Sequence, residues 1–351
     1  MYRVLDRAVK EFGSTSAYFA ARLVRLVAGM AVLTSLLLSI SAEAIEMQDH
    51  PELLTLAEEL MEQGFDRAEL QRLFAAVEFK QSIIDAMTKP AEKSMTWKDY
   101  RGLFIKPERI QQGIDFWQTY QKELAKASVD YGVAEEVIVA IIGVESRFGQ
   151  YRGKHGVFES LATLVSGYPR RSAFFAGELK AFLQLCQEQG FDPLEVKGSY
   201  AGAVGYPQFI ATSYRAYAVD FNADDRIDLI NDPVDAIGSV ANYFNHHRWQ
   251  AGQPVITDFA SYSAELLNSP SAKLNTDRTV ADIENTGAKL MDALAQDLKV
   301  GVVALDANTA PVVRVAHHNF YVITKYNRST MYAMAVHELS QEIKAAMLEV
   351  R

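Results

Sequence analysis

Apolar residues recur every three or four positions over much of the chain, which is the spacing of an amphipathic α-helix. Residues 51–79 carry two such patterns with Gly64 between them, and the sequence therefore predicts a small helical pair there. The same spacing predicts one helix over 114–131 that ends at Gly132. Further helices are predicted from Ala134 to Glu145, from Arg171 to Gln189, from Val234 to Phe244 and from Thr330 to Val350.

The helix that begins near Ala134 is apolar on all sides. Its residues 137–142 are Val, Ile, Val, Ala, Ile and Ile, with no polar side chain among them. A helix without a polar face is normally buried in the core of a protein. We therefore expect this helix to lie in the core, with Glu145 at its carboxyl end.

The remaining patterns are shorter. The run from Asn319 to Thr324 is typical of a strand, and residues 252–310 are more variable and polar than the rest. The sequence shows no internal repeat and no low-complexity tract. Together these patterns predict a mainly α fold with a few short strands.

Composition and charge limit the kinds of partner. Apolar residues make up 49% of the chain and charged residues 23%, which is typical of soluble globular proteins. The formal net charge is -9, and no long run of Lys and Arg is present. Because this charge would repel a polyanion, nucleic acid is not expected as a partner.

The first 44 residues have the pattern of a signal peptide. Two arginines precede an apolar run from Leu26 to Ile40, and a small-x-small sequence follows, so we expect cleavage after Ala44. The run is shorter than the roughly 20 residues that span a bilayer, and an uncleaved anchor is the alternative. The only cysteine, Cys186, lies far from this point, so no lipid attachment is expected. These features predict export to a periplasm.

Glu145 is the acidic residue whose surroundings indicate chemistry. At helical spacing its neighbours are apolar, Ile141 and Ile142 among them. Burial and the negative end of the helix dipole both disfavour the charged carboxylate, so we predict a raised pKa. A protonated carboxyl can donate a proton to the departing oxygen of a glycosidic bond. From the residues alone, a glutamate that turns to solvent or pairs with Arg147 remains an alternative.

Five blocks of sequence follow one another in a recognisable order. They are Glu145 to Gly149, Tyr168 to Arg171, Lys197 to Phe209, Asp235 to Phe244 and Asn319 to Ser329. In this order, and over nearly all of the chain after residue 44, they resemble the membrane-bound lytic murein transglycosylase B family.

The resemblance implies an α domain with a lysozyme-like catalytic core. It predicts five parts, which are a signal peptide (1–44), an N-terminal helical region (45–120), the lysozyme-like core (121–251), a variable insertion (252–310) and a C-terminal segment that completes the groove (311–351).

The resemblance also implies roles for single residues. Glu145 matches the sole catalytic acid and base of the family. The residues that match substrate-binding positions are Tyr100, Arg170, Arg171, Ser199, Gln208, Tyr326, Asn327 and Tyr332. A groove for amino sugars needs aromatic faces, amides and hydroxyls, which this set supplies. Without the resemblance, packing tyrosines and surface arginines would explain most of them.

Residues 198–208 contain three glycines and one proline. Such a segment can be a tight connection between elements. Glycine also lets a sugar approach the backbone closely, so we expect this segment to form a wall of the groove.

The expected mechanism depends on a missing second acid. Ordinary glycosidases flank the bond with two carboxyl groups, and the matched core motifs contain only Glu145. The resemblance implies that the N-acetyl group of the substrate takes the second role, in cleavage between N-acetylmuramic acid and N-acetylglucosamine that leaves a 1,6-anhydro sugar. A hydrolytic muramidase and a non-catalytic peptidoglycan-binding protein are the alternatives.

The acidic stretch that begins at Asp220 is a candidate calcium loop. Oxygen-bearing side chains occupy loop positions 1, 3, 5 and 9, which are Asp220, Asn222, Asp224 and Asp228. Some members of the family bind calcium at this point. The sequence departs from the loop pattern at the sixth position, where Asp225 replaces Gly, and at the twelfth, which is Asn231. A solvated acidic turn is the alternative, and no cofactor is expected to be required.

The expected partners are the glycan strands of peptidoglycan and other cell-wall enzymes, and the expected state is a monomer. His246-His247 and His317-His318 do not indicate a metal site, because neighbours along a chain point in different directions.

Overall fold

The computed structural model describes residues 45, 47–89, 95–267, 275–307 and 310–350. The signal peptide and its cleavage after Ala44 lie outside the described residues. None of the helices in these ranges combines the length and apolar character of a bilayer-spanning segment. The domain boundaries given above stay predictions.

Fifteen α-helices make up most of the described residues, so the predicted mainly α fold class is confirmed. In chain order they are α1 Pro51–Glu62, α2 Arg67–Ala75, α3 Gln81–Thr88, α4 Trp97–Phe104, α5 Pro107–Thr119, α6 Gln121–Tyr131, α7 Glu135–Ser146, α8 Val157–Gly167, α9 Ser172–Gln189, α10 Ala211–Tyr217, α11 Pro233–His246, α12 Ala264–Leu267, α13 Val280–Glu284, α14 His318–Tyr326 and α15 Thr330–Val350. Two 3-10 turns, Met47–Asp49 and Pro169–Arg171, precede α1 and α9.

Seven short strands form two antiparallel sheets among the described residues. The strands are β1 His155–Gly156, β2 Lys197–Gly198, β3 Ile256–Ser261, β4 Arg278–Thr279, β5 Lys289–Leu290, β6 Lys299–Leu305 and β7 Val312–Ala316. β1 pairs with β2, and the other five form one sheet in the order β4-β6-β7-β3-β5. Most of this sheet comes from the segment 252–310, which therefore holds a small β layer with an apolar cluster of its own.

The predicted N-terminal helical pair is present as α1 and α2. Pro51 occupies the first turn of α1, where its missing N–H costs nothing, and Gly64 follows the helix. The carboxylate of Asp66 accepts the backbone N–H of Glu69 and caps α2. Local sequence signals therefore set both ends of this pair.

The apolar helix α7 lies in the core, as its sequence predicts. Its residues from Val137 to Gly143 are buried, and it packs against α15 and α5. Gly143 lets the ring of Phe148 approach the helix, because a Cβ at that position would overlap the ring. Burial of this helix on all sides positions Glu145, which lies near its carboxyl end.

The prediction of one helix over 114–131 is wrong in detail. The backbone leaves helical geometry at Tyr120, with φ -111 and ψ 30, so that α5 ends there and α6 begins. Both helices bury apolar residues, and the apolar spacing continues across the break. Because the apolar spacing does not change at the bend, the periodicity of the sequence cannot predict it. The predicted end at Gly132 is confirmed by its left-handed backbone.

The predicted strand over 319–324 is wrong, because the segment is helix α14. Its residues from Asn319 to Thr324 are all buried. A short segment buried on every side shows no periodicity, and a strand and a helix then have the same sequence pattern. The polar side chain of Asn319 is tolerated in the core because it makes hydrogen bonds of 2.8 to 3.0 Å with the backbone of Gln250 and Gln253.

Replacement of Asn319 by alanine should destabilise the protein. Its three hydrogen bonds join α14 to the turn after α11, and the loss of the amide leaves buried backbone groups without partners. We expect the free energy of unfolding to fall by about 2–3 kcal/mol. Urea denaturation followed by circular dichroism measures the change.

Asn245→Ala is the matched control, because Asn245 is exposed and makes one side-chain hydrogen bond, to Tyr131. Its loss should cost less than about 1 kcal/mol. Equal losses for the two variants would contradict the structural role of Asn319.

Candidate active site

Glu145 occupies the last turn of α7, where the buried helix reaches the surface. Its side chain is half-buried. The helix stops at Arg147, whose backbone is left-handed with φ 51. The hydroxyl of Ser146 donates to the carbonyl of Ile142 at 3.2 Å and accepts the N–H of Gly149 at 3.0 Å. This turn fixes the helix end that carries Glu145.

Tyr332 is the direct partner of Glu145. Its phenol oxygen lies 2.5 Å from Oε1 of Glu145. Tyr332 comes from α15 and is only 2% exposed. Burial, and next the negative charge of Glu145, raise the pKa of Tyr332 well above its usual range. The phenol therefore keeps its proton and can donate it in a hydrogen bond to the carboxylate.

Tyr326 lies beside Tyr332, with ring centroids 6.4 Å apart and planes only 13° from parallel. Burial first, and then Glu145, raise the pKa of Tyr326 well above its usual range. Its hydroxyl donates to the carbonyl of Pro207 at 2.6 Å. Tyr326 thus connects the Glu145 cluster to the glycine-containing segment 198–208.

Two predicted substrate-binding residues belong to that segment. Nε2 of Gln208 donates to the carbonyls of Gly205 at 2.8 Å and Arg152 at 3.2 Å. The hydroxyl of Ser199 accepts the N–H groups of Ala201 and Ala203 at 3.2 and 3.0 Å. Both side chains stabilise the conformation of the segment. The amide oxygen of Gln208 can accept one further hydrogen bond, and the hydroxyl of Ser199 can donate one.

Tyr100 lies deeper than a groove residue needs to. It is 1% exposed and packs on Phe104, with ring centroids 5.2 Å apart. The helix that carries Tyr100, α4, packs against α15, which carries Tyr332. Tyr100 is therefore buried in the layer between these helices and contributes to the raised pKa of Tyr332.

The remaining predicted residues are on the surface. Asn327 is exposed at the end of α14. Arg170 and Arg171 are exposed in the 3-10 turn before α9, and the guanidinium of Arg171 lies 4.0 Å from the ring centre of Phe174. Among the described residues, the side chain of Arg170 has no hydrogen-bond or ion-pair partner. The structure therefore joins Glu145, Tyr326, Tyr332 and the segment 198–208, whereas the two arginines take no part in those contacts.

Two guanidinium groups near the end of α7 were not among the predicted site residues. Arg109 of α5 donates to the carbonyl of Gly143 at 2.6 Å, and Arg147 donates to Gln112 at 3.0 Å. Cations are favourable at the carboxyl end of a helix, where carbonyls lack partners. Arg147 belongs to the sequence block from Glu145 to Gly149. Arg109 has no sequence signal, because its partner is a backbone oxygen 34 residues away.

The candidate calcium loop is organised by its own hydrogen bonds. Asp220 accepts the N–H groups of Asp224 and Asp225, and Asp228 accepts those of Ile230 and Asn231, all at 2.9 to 3.1 Å. Asp225 has φ 65, the left-handed backbone that usually favours Gly. Within the described ranges, no three acidic, His or Cys side chains come together as a metal site would need. In this arrangement hydrogen bonds within the loop engage these carboxylates, and calcium binding stays a prediction.

Comparisons with known proteins agree with the expected family. The family model described as transglycosylase SLT domain matches residues 48–341. Membrane-bound lytic murein transglycosylase B of Escherichia coli (strain K12) is 39% identical over 295 residues, covering 82% of this chain and 80% of that protein.

Solved structures are similar over most of both chains. Soluble lytic transglycosylase SltB1 from Pseudomonas aeruginosa is 43% identical, with a TM-score of 0.78, and the match covers 84% of this chain and 99% of that one. The lytic transglycosylase Slt35 of Escherichia coli in complex with bulgecin A is 37% identical, with a TM-score of 0.81 and coverage of 89% and 98%. SltB3 from Pseudomonas aeruginosa in complex with NAG-NAM-pentapeptide is 28% identical, with a TM-score of 0.74 and coverage of 83% and 78%.

Tyr332→Phe should lower the turnover rate and leave substrate affinity nearly unchanged. The change removes one hydrogen bond to Glu145 and keeps the ring in place. We expect kcat to fall about tenfold or more, with KM within about twofold, because the carboxyl loses its fixed orientation. The rate limb set by Glu145 should also move to higher pH, since the lost donor favoured the charged form.

Tyr243→Phe is the control for that variant. Tyr243 is also a buried tyrosine with one hydrogen bond, in which its hydroxyl donates to the carbonyl of Lys325 at 2.7 Å. Its kcat and pH profile should match the wild type. Parallel losses in both variants would show a general effect of buried tyrosines on the fold.

Thermal melting with calcium and with a chelator tests the acidic loop. Because hydrogen bonds within the loop already engage its carboxylates, we expect the two midpoints to agree within about 1 °C. The stabilisation by a ligand, RT ln(1 + [L]/Kd), is zero when no ligand binds. A higher midpoint in calcium, absent from an Asp224→Asn variant, would show that the ion binds there.

Proposed function

This chain belongs to the transglycosylase SLT domain family and is a peptidoglycan lytic transglycosylase, and we propose that Glu145 is its single catalytic acid and base. The observation that carries the proposal is the contact of 2.5 Å between the phenol of Tyr332 and the carboxyl of Glu145. A half-buried glutamate held by a buried donor has the fixed geometry that proton transfer needs.

The first step is the protonation of the glycosidic oxygen. The carboxyl of Glu145 donates its proton to the oxygen between N-acetylmuramic acid and N-acetylglucosamine as the bond to C1 of the muramoyl sugar breaks. The N-acetyl oxygen of that sugar stabilises the positive charge at C1, which removes the need for a second carboxylate. Glu145 is left as a carboxylate, and the phenol of Tyr332 can donate to it.

In the second step Glu145 receives a new proton. The carboxylate takes the proton of the C6 hydroxyl of the same sugar, and that oxygen bonds to C1 to close a 1,6-anhydro ring. The reaction consumes no water. The proton that Glu145 gave leaves with the departing sugar, and the proton of the C6 hydroxyl replaces it, so that Glu145 ends protonated as it began. No step needs a metal or a cofactor.

The proposed substrate-binding residues are Tyr100, Arg170, Arg171, Ser199, Gln208, Tyr326, Asn327 and Tyr332. Contacts between Tyr326 and Pro207 and between Tyr332 and Glu145 support the groove part of this set. Arg170 and Arg171 are proposed to meet the carboxylates of the peptide stem, since both are exposed cations.

The proposed setting is the periplasm, after cleavage of the leader at Ala44. The proposed substrate is the glycan strand with its peptide stems, which the complex of SltB3 with NAG-NAM-pentapeptide supports. We propose a monomer that works alongside other cell-wall enzymes and requires no cofactor.

The mass of the released products tests the mechanism. Purified peptidoglycan digested by the enzyme should give muropeptides that are lighter than hydrolysed ones by one water, because ring closure replaces hydrolysis. Mass spectrometry distinguishes the two. Hydrolysed products would show a muramidase, and binding without soluble products would show a non-catalytic protein.

Glu145→Gln should lower kcat by about 10²- to 10⁴-fold, because glutamine can neither donate nor accept the proton. Glu136→Gln on the same helix is the matched control, since Glu136 is a partly buried glutamate in the first turn of α7, with an ion pair to Lys344 at 2.7 Å. Release of soluble muropeptides measures both rates, and circular dichroism checks the fold. Activity retained in the Glu145 variant would refute the assignment.

A further inference from the structure

The turn that follows Glu145 carries an exposed aromatic side chain. Tyr151 is 65% exposed, although large aromatic residues are usually at least partly covered. It lies six residues after Glu145, in the loop 147–154. A single exposed tyrosine on a surface needs no explanation, so its surroundings decide whether it has a role.

The backbone of this loop is held in an unfavourable conformation. Arg147 and Phe148 both have positive φ, at 51 and 58, and neither is Gly. A left-handed backbone is unfavourable for such residues, because their Cβ comes too close to the following carbonyl oxygen. Strained residues of this kind occur mainly at functional sites, where the surrounding packing enforces them.

Contacts on both sides of the loop enforce this conformation. The ring of Phe148 packs into the core against Phe116, with centroids 5.5 Å apart. The N–H of Tyr151 donates to the carbonyl of Ser146 at 2.8 Å, directly beside Glu145. The backbone of Tyr151 is therefore fixed relative to the end of α7.

The ring of Tyr151 has one supported face. The guanidinium of Arg147 lies 5.8 Å from the ring centre, within range of a cation–π interaction. Nε of Arg147 also donates to Gln112, which fixes the guanidinium. The high exposure of Tyr151 leaves much of the ring accessible to a ligand.

The loop borders the segment 198–208. A side chain at Gly153 would overlap the backbone of Gly198, so the loop and the segment are in close contact there. Gln208 donates to the carbonyl of Arg152, the residue next to Tyr151. Tyr151 thus stands between the helix end that carries Glu145 and the segment that carries Ser199 and Gln208.

We propose that Tyr151, supported by Arg147, is a stacking site for one pyranose ring of the glycan strand. The axial C–H groups of a pyranose form an apolar face, which matches the accessible face of the phenol ring. The proposal rests on the proposed function, because the ligand is the substrate of that site. Tyr151 is a binding residue and touches no reacting atom.

Steady-state kinetics of Tyr151→Ala with purified sacculi tests the proposal. We expect the half-saturating sacculus concentration to rise by about three- to tenfold, with kcat within about twofold. Tyr151→Trp and Tyr151→Phe should restore the wild-type value, because both keep a flat ring. Tyr262→Ala, at an exposed tyrosine after β3, is the matched control and should change neither constant.

Co-sedimentation with sacculi provides a readout without catalysis. In the Glu145→Gln background, Tyr151→Ala should weaken binding by the same factor, so the site is tested even if the wild type releases no product. An unchanged affinity would overturn the proposal, and so would a fall in kcat alone or a failure of Phe and Trp to restore affinity. Products without an anhydro ring would refute the mechanism of Glu145 and leave this site standing.

Discussion

The burial of α7 is the constraint on which the rest of the site depends. Val137 to Ile142 are each at most 3% exposed, so this helix cannot shift without uncovering core. Its carboxyl end reaches the surface, and that end carries Glu145. Because α15 packs along α7, Tyr332 meets the carboxyl at a fixed distance. The packing of α7 in the core therefore fixes the contact between Tyr332 and Glu145.

Several groups near the end of α7 favour negative charge. Tyr332 donates to Glu145, and Arg109 donates to the carbonyl of Gly143 two residues earlier. Burial acts in the opposite direction, because it favours the neutral acid. A residue that must be an acid in one step and a base in the next needs both influences. Around Glu145, burial in an apolar helix favours the neutral carboxyl, and a few fixed donors favour the charged carboxylate.

The segment 198–208, proposed as a wall of the groove, is held in shape by the same residues that are proposed to bind sugar. Ser199 and Gln208 each hold the segment 198–208 by hydrogen bonds to backbone, and Tyr326 joins it to α14. Each keeps a limited capacity for a ligand. In this wall, shape and recognition depend on the same side chains, so a change in any one of them affects both.

The sequence alone determined the helical class, the burial of α7 and the position of Glu145, because these follow from local periodicity and from motifs of adjacent residues. It could not separate a helix from a strand over 319–324, where every residue is buried, nor find the break at Tyr120. Only the tertiary structure decided that Tyr332 faces Glu145, that the helix of Tyr100 packs against the helix of Tyr332, and that Arg109 reaches α7. These contacts join residues 34 or more positions apart, and long-range packing of helices leaves no pattern in a single sequence.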